Sequence, residues 1–422
     1  MIRRGLALLS LVSAPLWANE PAPELKLLSE HPVQGMSGGN LSGMAWCGDA
    51  LWAVSDREDD VLYRLDTSVS PWQAEPERFE AGPPPNSGLP WGMRMRAWLS
   101  GHVRGGHLDF EGLSCDALGN RYVVSEAHAA VLRVSPAGTA EWLRLPESLV
   151  RQARASGMLW HFNALFEGIA VDPKAERMWL AAERERRGLL VMHRKQSSWQ
   201  CTGGCVLMAQ GGHQQPPAAL GDTPLPRSFS ALAYFNDKLF VLEPSAYRVC
   251  RRSPANGTVE RCWSFAAEAL TDERRYPLHY GVAEALAIDA DGAWVGVDNG
   301  GHARGDGENR PVVWRFTAPA GGWRRHHPDG PQLSGRASDP VPVARGALPD
   351  RRQTGRLRPS HRPVPHPGRV RLGRAPAAGA DGLRLEHAAP AAARHHQPRH
   401  GVAEPAAGLA GGAARRRPGA VP

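Results

Sequence analysis

Carboxylates recur in this chain where a shared site would need them. Five times a small residue opens an apolar run, and an acid closes a second run 12 to 15 positions later. The openings are SGMAW from Ser42, EGLS from Glu111, EGIAV from Glu167, SALAY from Ser230 and EALAI from Glu284; the closings end at Asp56, Glu126, Glu183, Glu243 and Asp298. Like charges gathered on one face repel unless they are protonated, paired with arginine or neutralised by a cation. Hard oxygen donors of this kind select Ca²⁺ or Mg²⁺. Asp56, Glu111, Glu126, Glu167, Glu183, Glu243, Glu284 and Asp298 are therefore the candidate metal ligands, with Ca²⁺ the expected ion. The competing reading is that each acid caps backbone amides or pairs with a neighbour to fasten its unit. Arg57, Arg184 and Arg186 stand close in sequence for that pairing. The same arginines, with His128, would bind a small anionic substrate such as a phosphate ester, which a metal and guanidinium groups together suit. His107, His161 and His302 fall near the same ends and are candidates for acid–base work.

The elements that must position these acids follow from the repeat. Counted between Gly43, Gly112, Gly168, Ala231 and Ala285, the intervals are 69, 56, 63 and 54 residues. Units of this length made of short β-type runs read as propeller blades. In a blade the first strand is innermost and the second antiparallel to it, so the start of one and the end of the other share a mouth. Third strands begin at Val61, Ala130, Gly188, Ala246 and Pro311, and fourth strands at Ala140 and Thr258. Turns such as DALGN from Asp116, FNDK from Phe235 and DADG from Asp289 separate first from second strands. The last unit has three strands, and ELKLLSE from Glu24 is placed to supply its fourth and close the ring. The expectation is an all-β propeller of five blades, with six open if the C-terminal segment replaced one. SLVRQARASGMLWHF from Ser148 reads as a helix between the second and third blades.

Composition divides the 422 residues unequally. Residues 326–422 contain no Trp, Phe, Tyr, Ile, Met, Cys, Asn or Lys, and hold 16 Arg against 6 acids. Such a segment buries too little apolar surface to offset the entropy of ordering it, and it reads as a disordered tail translated from a shifted frame. Removing its balance of +10 from the whole-chain +8 leaves −2, so the expectation is no nucleic-acid partner. Residues 1–18 have two arginines, an apolar stretch and Ala18 before a polar run, the outline of a signal peptide, and no later run approaches membrane length. The propeller is thus expected over residues 19–325, in the periplasm or secreted. Cys250 and Cys262 flank SPANGT, whose Asn256-Gly257 marks a hairpin; Cys201 and Cys205 enclose a short loop; Cys47 and Cys115 follow the first strands of successive blades. Three bridges would suit an oxidising compartment, with connectivity left open.

Other motifs are weak. Gly35 to Gly39 matches G-x-S-x-G but precedes the first blade instead of joining a strand to a helix. At LDFEGLS from Leu108, ALFEGIAVDP from Ala164, WLAAERE from Trp179 and VDNG from Val297, the chain resembles the bacterial phytase-like family described by an esterase-like activity of phytase. The resemblance covers roughly residues 25–320 and implies an exported β-propeller with hydrolase relatives. Calcium-dependent propeller phytases are a more distant likeness: the acidic face is present here, but lysines are sparse. The E-G opening also resembles sugar-lactone hydrolases of the gluconolactonase type. Two function classes follow: a metal-assisted hydrolase of phosphate esters or lactones at an acidic channel mouth, or a non-catalytic propeller that binds a protein, glycan or envelope component.

Overall fold

Alternating apolar runs bounded by turn residues pair with their chain neighbours, and each unit folds into a small antiparallel sheet. The computed structural model describes residues 22–37 and 39–323; the expected signal peptide and C-terminal tail lie outside them. Strand β1 (Leu27–Gln34) comes first in the chain and is used last. The first blade is β2 (Gly43–Cys47), β3 (Ala50–Val54), β4 (Val61–Asp66) and β5 (Trp72–Arg78). Helix α1 (Trp91–Arg104) leads to the second blade: β6 (Phe110–Cys115), β7 (Arg121–Ser125), β8 (Ala130–Val134) and β9 (Ala140–Trp142). After α2 (Ser148–Ala155) the third blade contains β10 (Phe166–Val171), β11 (Arg177–Ala182), β12 (Arg186–Lys195), β13 (Ser198–Gln200) and β14 (Val206–Gly211). A short ribbon, β15 (His213–Gln214) with β16 (Leu225–Pro226), precedes the fourth: β17 (Ala231–Phe235), β18 (Lys238–Glu243), β19 (Arg248–Arg252) and β20 (Val259–Ser264). Helix α3 (Ala266–Ala269) leads to β21 (Ala283–Ile288), β22 (Gly292–Val297) and β23 (Val312–Thr317).

The fifth blade is completed from the other end of the chain. β1 pairs antiparallel with β23, Glu30 facing Trp314, so residues far apart in sequence share one blade. The same strand then runs parallel to β5 through Val33 and Trp72, which ties the fifth blade to the first. Around the axis the inner strands follow one another as β2, β6, β10, β17, β21 and back to β2. This is a closed five-bladed β-propeller.

Small residues are required on the inner strands because a five-blade ring is tight. A Cβ on Gly43 would lie 2.9 Å from the Glu111 carbonyl oxygen, and one on Gly112 would lie 2.5 Å from that of Glu167. Met44, Leu113, Ile169, Leu232 and Leu286 fill the axis and leave a cavity of about 10 Å³, room for one water at most. The expected channel is therefore a cup: an acidic rim above an apolar plug.

All three cysteine pairs suggested by spacing are bonded: Cys47–Cys115, Cys201–Cys205 and Cys250–Cys262. The first joins the inner strands of neighbouring blades. Among the described residues no helix is long and apolar enough to cross a membrane. The DADG segment is a hairpin turn, with the Asp289 carboxylate accepting from the Asp291 and Gly292 amides.

Candidate metal centre at the acidic mouth

Three of the five inner strands open with a glutamate, and each of those three carries a register shift there. Phe110 pairs with Ser125 and Gly112 with Val124, leaving Glu111 as the extra residue; Phe166/Gly168 and Ala283/Ala285 bracket Glu167 and Glu284 in the same way. A bulge bends the strand and re-aims the side chain at the bulged position. The two inner strands that open with Ser42 and Ser230 pair without a shift. There the serines bind backbone: Ser42 Oγ accepts from the Asp56 amide, and Ser230 Oγ donates to the Ala283 carbonyl.

The bulged glutamates meet the acids that close the second strands. Asp56, Asp109 and Glu111 place carboxylate oxygens within 4.8 Å of one another, and Glu126, Glu167 and Glu183 do the same. Each group sits at a junction between blades, pairing the closing acid of one blade with the opening glutamate of the next. Burial, then the charges of Asp109, Asp56, Glu126 and Glu284, pushes the Glu111 carboxyl well above the usual carboxylate range. Glu167 rises well above it for the same first reason, followed by Glu183, Glu284, Glu126 and Glu111. Glu284 rises through burial and the charges of Glu183 and Asp298. Burial raises Glu183 to about 7, against the pull of Arg184, and Asp298 to about 6, against the Gly300 amide it accepts from at 2.8 Å. These mutual influences place seven of the eight expected acids in one cup.

Few cations answer them. Arg57 Nε lies 3.2 Å from Asp56 Oδ2, whose other oxygen accepts from Asn40 Nδ2 at 2.9 Å. Arg184 is paired with Glu183 and donates to the Asn163 carbonyl at 2.6 Å. Glu126 Oε1 accepts from the Leu165 amide at 2.9 Å, which docks the third blade. Glu183 Oε2 is buried and has no hydrogen-bond partner among the described residues unless Glu167 carries a proton. Three carboxylate oxygens within 4.8 Å fit around one ion whose metal–oxygen distances are about 2.3–2.6 Å, the calcium range. The donor set is hard oxygen throughout, so the residues fit Ca²⁺.

Residues 32–199 match the family model described as Phytase-like, esterase-like activity of phytase. The match is to that span of the chain. It runs from within β1 to within β13, so both three-acid groups fall inside the matched span while Glu284 and Asp298 lie beyond it. No curated protein matches the chain. Among solved structures, it is similar to Myxococcus xanthus glutaminyl cyclase at 13% identity, covering 70% of this chain and 97% of that one with a TM-score of 0.39. The PQQ-bound aldose sugar dehydrogenase of Streptomyces coelicolor is 12% identical, with 69% and 98% covered and a TM-score of 0.35. Virginiamycin B lyase from Staphylococcus aureus is 12% identical, with 70% and 75% covered and a TM-score of 0.32.

The remaining expected site residues are distributed around the cup. Glu243 stands outside both groups, fully buried against Arg187, Arg248 and Arg252 at 3.1, 2.6 and 2.8 Å. Burial alone would raise its carboxyl, but the three guanidinium groups outweigh that and hold it below the usual range. Arg186 opens β12 as an exposed residue whose stem lies against Gly157. His128 is half-buried against the His107 backbone, its imidazole lowered by burial. His107 and His128 line a cleft of about 940 Å³ beside α1, and His161 and Arg184 line one of about 460 Å³ on its other side. His302 is exposed on the loop after β22. Asp109 was not among the expected ligands. It is buried in a left-handed conformation, φ 55°, and its one sequence signal is its place two residues ahead of Glu111 in LDFEGLS.

Proposed function

We propose that this protein is an exported, Ca²⁺-dependent hydrolase of phosphate esters or similar anionic esters, acting at the acidic cup. The observation that carries the reading is the pair of three-carboxylate groups at adjacent blade junctions, more acid than Arg57 and Arg184 can neutralise. Asp56, Asp109 and Glu111 would hold one ion, and Glu126, Glu167 and Glu183 another. Bound Ca²⁺ would offset the carboxylate charge and polarise an ester oxygen. Arg57 and Arg184, each about one-third exposed beside a buried acid, can turn a guanidinium edge toward an anionic group. Without the ion, Glu183, with its carboxyl raised to about 7, takes up a proton near neutrality, and Ca²⁺ would displace that proton on binding. The three disulfides suit an oxidising compartment, which supports the periplasm or the medium as its place.

The test is a thermal melt of the full chain with millimolar Ca²⁺ and then with chelator, followed by a screen of phosphomonoesters, lactones and simple esters. Ca²⁺ at about 100 times its dissociation constant adds about 2.7 kcal/mol, a shift of several degrees. Glu167→Gln and Glu183→Gln should abolish both the shift and the turnover. Turnover that survives chelator and these substitutions removes the metal reading. A Ca²⁺ shift with silence across the panel leaves a metal-stabilised binding propeller.

A further inference from the structure

The connections that frame the cup carry most of the exposed large apolar side chains. Of eleven among the described residues, six lie on the two connections flanking the second blade: Trp91, Met95, Trp98, Leu99 and Val103 on α1, and Trp160 beyond α2. Both connections run from an outer strand to the start of the next inner strand, which is the acidic end. Helix α1 reverses the usual arrangement. Met93, Ala97 and Gly101, four residues apart, face the protein, and Met95, Leu99 and Val103 face water, Leu99 at 53% and Val103 at 90% exposure. Exposed apolar surface gathered in this way marks a contact surface.

The charge of the same region narrows the partner. Trp91–Arg104 contains three arginines and no acid. Arg96 lies 5.9 Å from the Phe162 ring centroid, and Arg154 lies 4.9 Å from that of Trp160 while donating to Met93 Sδ and the Leu159 carbonyl. Among the described residues neither is paired with a carboxylate. Tryptophan, leucine and valine beside unneutralised guanidinium groups make a surface helix that settles at the headgroup boundary of an anionic bilayer. A second copy of this chain would bring like charge against like. We propose that α1 and the Trp160 turn dock the protein on an anionic lipid surface. This inference does not rest on the metal reading.

The experiment is sedimentation of the full chain with phosphatidylcholine vesicles, with and without phosphatidylglycerol. The expected result is binding to the phosphatidylglycerol vesicles alone, weakened by salt. Leu99→Ser with Val103→Ser should weaken it about tenfold or more while leaving the melting temperature unchanged, and Val103→Ser alone should weaken it in the same direction. Vesicle binding by the double variant equal to that of the original chain would overturn the proposal, since the basic residues 326–422 are common to both. So would a dimer in solution that the double variant converts to monomer, which would assign the stripe to a second copy.

Discussion

Glu167 can lose its charge by taking a proton or by sharing a cation, and the two routes respond oppositely to pH. Carboxyls raised by burial bind more protons in the folded than in the unfolded chain, from the ordinary carboxylate range up to about 6 for Asp298 and about 7 for Glu183. Their stabilising protonation is therefore complete below the unfolded value and is lost as pH rises through the folded one. Without metal, the melting temperature should fall between about pH 5 and about pH 8. Ca²⁺ competes with those protons, so its stabilising shift should grow across the same window; a calorimetric series with and without chelator checks both signs. Glu243 behaves differently because three arginines already neutralise it. Glu243→Gln leaves buried guanidinium groups uncompensated and should cost about 3–5 kcal/mol in chemical denaturation, with the Ca²⁺ shift retained. Sequence placed Glu243 with the other closing acids because its repeat phase is the same. What separates it is Arg187 arriving from the neighbouring blade, which no local pattern displays.

At the scale of the strand, the acid's direction depends on a bulge and a glycine together. The small residue after each opening acid was legible, but the extra residue was not, because a bulge is a property of two strands in register. Gly112→Ala sets a Cβ 2.5 Å from the Glu167 carbonyl oxygen. It should destabilise the protein by about 1–3 kcal/mol and, by displacing the Glu167 backbone, shrink the Ca²⁺ shift as well. A variant with lowered stability and an unchanged Ca²⁺ response would detach the bulge from the site. Helix α1 escaped the sequence reading for a physical reason. Its apolar residues at 95, 99 and 103 point to water, two glycines interrupt it, and Pro90 precedes it without a side-chain cap, so the pattern of a core-facing helix is absent. SLVRQARA at α2, which buries Leu149, Val150 and Ala153, was recognisable because it follows that pattern.

At the scale of the whole molecule, closure is what makes the cup. β1 holds the fifth blade and the first together, and His31 stacks on Trp72 at 4.2 Å beside Trp294. Cys47–Cys115 staples the first two blades across a separation of 68 residues. Cys47→Ser with Cys115→Ser should cost about 2–4 kcal/mol, read as a lowered denaturation midpoint; no loss would mean that packing alone sets that junction.

The sequence by itself carried the repeated units, with five or six blades left open, the strand placed to close them, the spacing of the cysteines and the acids that open and close each blade. These are read locally, since apolar period, turn residues and repeat phase are written within a few tens of residues. Only the tertiary structure decided that the axis is plugged, that Asp109 joins the acids while arginines claim Glu243, and that the carboxylates gather in two groups at blade junctions. Those outcomes depend on distances between side chains from different blades, and such distances exist only once the ring has closed.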